Sequence, residues 1–226
     1  MTASRPAQPE ALALFAHRFV PARAGVAGAD LTLLLLHGTG GDETDLLPLG
    51  EMLSQGAALL SPRGRVLEGG RPRFFRRLRE GVFDVPDLKA RAAELAEFIV
   101  AARLAYDLGD RPIVAVGFSN GANIAGALLL AHRGVLQGAA LLRPMVPYEP
   151  GKPPRLSGVP VLIASGDIDP FGTPEEIGRL QAILGAGGAK VTLHRETAGH
   201  NLTRNDVEAA RTWLEGISRA RAGGGS

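Results

Sequence analysis

The chain has 226 residues, 45% of them apolar and 21% charged, with a net charge of +2, which excludes a disordered or collagen-like chain and leaves no nucleic-acid footprint. It contains no cysteine, so disulfides, thiolate metal sites and a cysteine nucleophile are excluded. Residues 1–21 lack a charged stretch followed by an unbroken apolar one, and no apolar run reaches 18 residues, so the chain reads as soluble, cytoplasmic and without a membrane span.

An α/β chain of this length commonly forms one domain, here residues 1–220, with the Gly-rich tail 221–226 expected to lie disordered outside it. Residues 13–21 read as an antiparallel edge strand. Apolar runs at 31–36, 57–61, 113–118, 138–142, 159–164 and 190–195 have the nearly continuous hydrophobicity of parallel strands covered on both faces. Between them, helical spacing or capping signals predict helices at 45–54, 85–105, 121–132, 174–184 and 205–219. The basic cluster Arg71, Arg73, Arg76, Arg77 and Arg79, interleaved with Phe74 and Phe75, reads either as an anion-binding patch or, by preference, as a solvated loop. Strands alternating with helices predict an α/β fold around a mostly parallel sheet, whose ligand site lies beyond the carboxyl ends of the strands.

Residues at those ends carry the chemistry. Strand 113–118 runs directly into Gly117-Phe118-Ser119-Asn120-Gly121, a G-x-S-x-G inserted between a buried strand and a small-residue helix. A serine on so sharp a turn holds its hydroxyl clear of the backbone; the plainer alternative is an ordinary N-cap. A serine nucleophile needs a base. Of the five histidines, His17 falls on the edge strand, His132 at a helix C-terminus and His194 inside the last strand, while His37 shapes its own loop. His200 follows the last strand in a Gly-containing loop, on the same sheet edge as Ser119, and is the expected base. Asp167 and Asp169, after strand 159–164, both satisfy the chain order Ser, Asp, His. Gly38-Thr39-Gly40-Gly41 can aim a backbone N–H at a developing oxyanion, with the N–H of Asn120 as second donor, although the same glycines would serve an ordinary turn. Phe74, Phe75, Met145, Pro147, Tyr148 and Phe171 either line a substrate pocket or seal the core beneath their loops.

These residues resemble the bacterial phospholipase/carboxylesterase family of α/β-hydrolases, which includes acyl-protein thioesterases and lysophospholipases. The resemblance is closest to the hydroquinone-induced hydrolases, through residues 35–43 (LLHGTGGDE), 61–64 (SPRG) and 72–77 (PRFFRR). It spans nearly the whole chain. It implies an α/β-hydrolase fold without a large lid domain and a two-step acyl-enzyme mechanism with no metal or organic cofactor. It selects Asp169, through the family's G-x-x-D-P segment at 166–170, and puts the oxyanion donors at Thr39 and Asn120. The H-G-T-G-G loop differs from the H-G-G-G of many lipases, and the short segment 143–155 is too small for a lipase lid. Both features point to small, short-chain esters and away from bulky lipase substrates. A thioesterase or lysophospholipase on the same triad is the alternative, a non-catalytic ligand-binding protein of the same fold a remote one, and homodimer formation is left open.

Overall fold

Apolar runs that lack a polar face have to be covered on both sides, and the computed structural model, which describes residues 8–223, covers them in three layers. In chain order the elements are α1 (Gln8–Ala13), β1 (His17–Val20), β2 (Thr32–Leu36), α2 (Leu47–Leu53), β3 (Ala58–Pro62), β4 (Val66–Glu68), β5 (Arg71–Arg73), β6 (Arg77–Arg79), β7 (Val82–Phe83), α3 (Val85–Ala105), β8 (Ile113–Phe118), α4 (Asn120–Ala131), β9 (Gly138–Leu142), β10 (Pro160–Gly166), α5 (Pro174–Ala186), β11 (Lys190–Glu196) and α6 (Arg204–Gly223). Seven strands form the main sheet in the order β1-β3-β2-β8-β9-β10-β11. Among the described residues of this sheet, only β1 runs antiparallel, against β3.

Every residue of β2, β3 and β9 is buried, and neighbouring side chains supply opposite faces. Leu34 and Leu36 join a core cluster with α3, α4 and α5; Leu33 and Leu35 join a second one with α2 and α6. Helix starts follow their caps: Asp84 accepts from the Asp87 N–H ahead of α3, and Thr173 accepts from the Glu176 N–H ahead of α5. α4, built of Ala, Gly, Leu, Ile and Asn, is buried on nearly all sides, as a helix without a charged face must be.

Three regions differ from the sequence-based expectation. The antiparallel edge strand expected over 13–21 is confined to 17–20, and the chain before it, at 8–13, where no element was expected, is helical: Ala11 and Phe15 are buried beside α3, where the Phe15 and Phe98 rings meet at 5.0 Å. The arginine-rich stretch is not one solvated loop but two antiparallel hairpins, β4–β5 closed through Gly69-Gly70, both at positive φ, and β6–β7 closed through Gly81. Arg73 is buried within them. The final helix continues through Gly223, beyond the expected stop at 219; positions 224–226 of the expected tail lie outside the described residues.

The chain passes from β2 to β3 on one side and later returns to β8 on the other, so the strand order reverses between β2 and β8. Such a reversal opens a crevice at the carboxyl ends of the two strands. The loop after β2 and the turn after β8 meet there.

Candidate active site

Ser119 sits between β8 and α4 with φ 53° and ψ −112°, a left-handed conformation that a non-glycine residue adopts only when its surroundings impose it. The flanking glycines show what imposes it. A Cβ on Gly117 would meet the carbonyl of Gly121, and a Cβ on Gly121 would meet the carbonyls of Leu36 and His37. The turn is therefore packed backbone against backbone. The Ser119 N–H donates to the Leu142 carbonyl at 2.9 Å, and its side chain caps no helix N–H.

Ser119 Oγ lies 2.8 Å from His200 Nε2, and His200 Nδ1 lies 2.8 Å from Asp169 Oδ2. With a proton on Nδ1, the ring donates to the carboxylate and accepts from the serine hydroxyl. Asp169 is buried, and its second oxygen accepts from the Phe171 N–H at 2.9 Å. Asp167, two residues earlier, is exposed and pairs with Arg195 at 3.0 Å on the surface. Phe171 and Phe118 flank the His200 ring, at centroid distances of 5.0 and 5.5 Å.

The other histidines are engaged elsewhere. His37 is buried, its Nδ1–H donates to the Gly38 carbonyl at 2.6 Å, and its Nε2 accepts from the Gly64 N–H at 2.9 Å. Burial pushes its pKa below the ordinary 6.5, although the Gly38 carbonyl and the charges of Asp45 and Asp42 act the other way. Both ring nitrogens are thereby committed to holding the loop after β2. His17 bonds Phe15 and Tyr106, His132 caps α4, and His194 lies on β11 facing Glu196.

A cavity of about 390 Å³ opens over Ser119 and His200. Thr39 and Asn120 border it. Asn120 is the first residue of α4, so its N–H has no acceptor within the helix. Its side-chain Oδ1 accepts from the Phe74 N–H at 2.8 Å. Thr39 is fastened by the hairpin: Arg73 Nη1 donates to Thr39 Oγ1 at 2.7 Å, and the adjacent Gly40 N–H donates to the Pro72 carbonyl at 2.8 Å. Arg73 also faces Glu68 at 3.2 Å; burial lowers its pKa, and the neighbouring Arg77 guanidinium adds to the effect.

Of the expected pocket residues, Met145 and Phe171 border the cavity. Phe74 and Phe75 do not: both are buried in the core cluster, where Phe74 packs on the His37 ring at 4.7 Å and Phe75 on Phe83 at 5.0 Å. Pro147 and Tyr148 likewise stand away from it, Tyr148 beneath the Lys89 ammonium at 4.5 Å. The remaining wall includes Phe83, Phe118 and Arg143, which the sequence reading passed over. The signal for Arg143 was present: a charged residue directly after a fully apolar strand stands at the edge where site residues gather. Among the described residues no group of three His, Asp or Glu side chains is placed to hold a metal ion, and no helix is long and apolar enough to cross a membrane.

The parallel sheet, the reversal of strand order and the serine turn define an α/β-hydrolase-fold protein. No family model matches the chain. It is 48% identical over 187 residues, 83% of its length, to a protein of Bacillus subtilis (strain 168) named as the hydrolase MhqD, of which the match covers 94%. A carboxylesterase of Bacillus cereus superposes with a TM-score of 0.84 at 44% identity, over 90% of this chain and 95% of its own. A carboxylesterase of Mesorhizobium loti does so with a TM-score of 0.81 at 33% identity, over 90% and 95%. The chain belongs to this hydrolase family.

Proposed function

We propose that the protein is a serine carboxylesterase that hydrolyses short-chain carboxylic esters through an acyl-enzyme, with Ser119 as nucleophile, His200 as base and Asp169 as the acid that orients it. The observation that carries this reading is the continuous hydrogen-bonded line from Ser119 Oγ through His200 to the buried Asp169 carboxylate, opening on a cavity. In the reaction, His200 Nε2 takes the Ser119 proton as Oγ attacks the ester carbonyl. The negative charge that develops on the carbonyl oxygen is met by the N–H groups of Thr39 and Asn120. As the tetrahedral intermediate collapses, His200 gives its proton to the departing alcohol. Water then attacks the acyl-serine by the same route and releases the acid. Asp169 holds His200 in the tautomer that leaves Nε2 free to accept and stabilises the imidazolium.

The carboxylesterases of B. cereus and M. loti, with folds superposing over 90% of the chain, support the ester-cleaving reading. A cavity of about 390 Å³, bordered by Phe83, Phe118, Met145 and Phe171, supports small acyl and alcohol groups. The test is hydrolysis of p-nitrophenyl esters from acetate to palmitate by the wild type beside Ser119→Ala, with a matched thioester as a further substrate. Activity that peaks at short chains and vanishes in a folded Ser119→Ala variant is expected. A rate that persists in the variant, or a wild type inactive at every chain length, removes Ser119 from the role. Faster cleavage of the thioester than of its oxygen ester moves the assignment to a thioesterase on the same residues.

A further inference from the structure

Arg143 is the first residue after β9, and its environment is unusual for an arginine. Its side chain and that of Asp206 are both 0% exposed. Its backbone takes φ 55°, a left-handed conformation at a bulky residue, while its N–H donates to the Ala164 carbonyl at 2.8 Å. The guanidinium makes four hydrogen bonds. Nη1 and Nη2 grip the Asp206 carboxylate at 3.0 and 2.6 Å, Nε donates to the Gly199 carbonyl at 3.0 Å, and Nη2 donates to the Asn201 carbonyl at 3.0 Å. The two carbonyls belong to the residues on either side of His200. Asp206 is itself fixed in the first turn of α6, accepting from the Thr203 N–H at 2.7 Å and the Thr203 hydroxyl at 2.9 Å. Burial opposes its ionisation, but the Arg143 guanidinium and the Thr203 donors outweigh burial and hold its pKa below the usual carboxylate range.

We propose that Arg143, braced by Asp206, is a positioning residue for His200: it clamps the backbone on both sides of the histidine and so aims the imidazole at Ser119. The proposal rests on the serine-esterase reading above. Burying two charges is costly, and an apolar pair of similar volume would commonly hold the fold as well, so stability alone does not account for the arrangement. Geometry does. The loop leading to His200 is also held by Ala198, which bonds Glu196 and Ile168, and by Gly166, where a Cβ would meet the Ala198 and Gly199 carbonyls, but the guanidinium spans the histidine itself, from the Gly199 carbonyl to the Asn201 carbonyl. Only a planar fork with several N–H groups can bridge two carbonyls and a carboxylate at once, which a lysine ammonium cannot reproduce. A general base displaced by about 1 Å loses on the order of a hundredfold in rate without losing substrate affinity.

The test compares the wild type with Arg143→Ala and Arg143→Lys on p-nitrophenyl butyrate. kcat is referred to active sites counted with a fluorophosphonate, and folding is followed by circular dichroism. Arg143→Ala is expected to lower kcat about a hundredfold with KM within about threefold, and tens of millimolar methylguanidinium is expected to restore at least tenfold of the loss by filling the vacated space. If the Ala variant does not fold, Arg143→Lys decides: a kcat at least tenfold lower at unchanged KM supports the clamp, and a wild-type kcat overturns it. A folded Arg143→Ala variant with wild-type kcat, or a loss that methylguanidinium leaves untouched, also overturns it. A wild type that neither turns over nor is labelled at Ser119 removes the triad reading and the clamp with it, whereas an active wild type with equally active Arg143 variants removes the clamp alone.

Discussion

At the scale of single residues, chemistry separates groups that composition cannot. Asp167 and Asp169 are two positions apart, yet one is exposed beside Arg195 and the other buried against His200. Replacing Ser119 or His200 by Ala is expected to lower kcat by roughly 10⁶, and Asp169→Asn by roughly 10⁴, by analogy with other serine hydrolase triads. Asp167→Asn should stay within about threefold. Parallel kcat measurements on the four variants distinguish the two carboxylates: equal losses at Asp167 and Asp169 contradict the assignment. His37 predicts a pH dependence of stability. Its folded pKa is depressed below 6.5, so as the pH falls through 6.5 the unfolded chain takes up a proton that the folded protein resists. Stability is therefore complete above 6.5 and declines below it, with half-buried His132, whose pKa desolvation also lowers, acting in the same direction. Urea midpoints at pH 7.5 and pH 5 should fall with acid, and His37→Gln should flatten the difference; an unchanged slope in that variant contradicts the account.

At the scale of elements, the strands and long helices were legible because their patterns are local: β8, β9 and α3 occupy the residues that apolar runs and helical spacing predict. The two hairpins were not. Each of their strands has two or three residues, β5 reads Arg-Pro-Arg, and β5 makes its fixing contact with a loop more than thirty residues earlier. Because β5 fastens Thr39 through Arg73, Arg73→Met should lower kcat by about ten- to a hundredfold, short of the 10²–10³ that follows loss of a whole oxyanion donor. Thr39→Val, which removes only the hydroxyl that Arg73 holds, should add little to it; additive losses in the double variant would show that the two residues act separately. The junction of β2 with α4 is equally constrained. Gly121→Ala drives a Cβ into the carbonyls of Leu36 and His37, neither of which is a flexible side chain, and should cost about 1–3 kcal/mol or more, read as a lower urea midpoint. An unshifted midpoint would mean that the turn yields.

At the scale of the whole molecule, the sheet separates two cores that the sequence presents as one apolar string. Ile163 belongs to the face under α3, α4 and α5, Leu33 to the face under α2 and α6. Ile163→Val should cost about 0.5–1.5 kcal/mol and Leu33→Ala about 2–5 kcal/mol. Their sum should describe the double variant to within about 0.5 kcal/mol, since they belong to separate core clusters on opposite faces of the sheet. A coupling well above that, in denaturant titrations, would mean that strain passes through the sheet.

What the sequence determined by itself is what short-range physics controls. Buried strands follow from unbroken apolar runs, helices from spacing and caps, and the serine turn from glycines at positions 117 and 121, whose absent side chains permit backbone contact. The chain order of Ser119, Asp169 and His200 was likewise readable, as was their shared sheet edge. The residues by themselves left two carboxylates in play and the family resemblance pointed to Asp169; the fold turns Asp169 rather than Asp167 inward after β10, toward His200. The tertiary structure alone decided that Phe74 and Phe75 face the core while Phe83 and Phe118 face the cavity, because a loop's aromatic side chains go to whichever buried surface its anchors turn them toward. It also placed Arg143 beneath the His200 loop, 56 residues away from Gly199 in the chain. No local pattern encodes that contact: it exists because β9, β10 and β11 lie side by side and α6 packs back onto β10 and β11 to present Asp206, and hydrogen-bond partners are set by where the strands end in space.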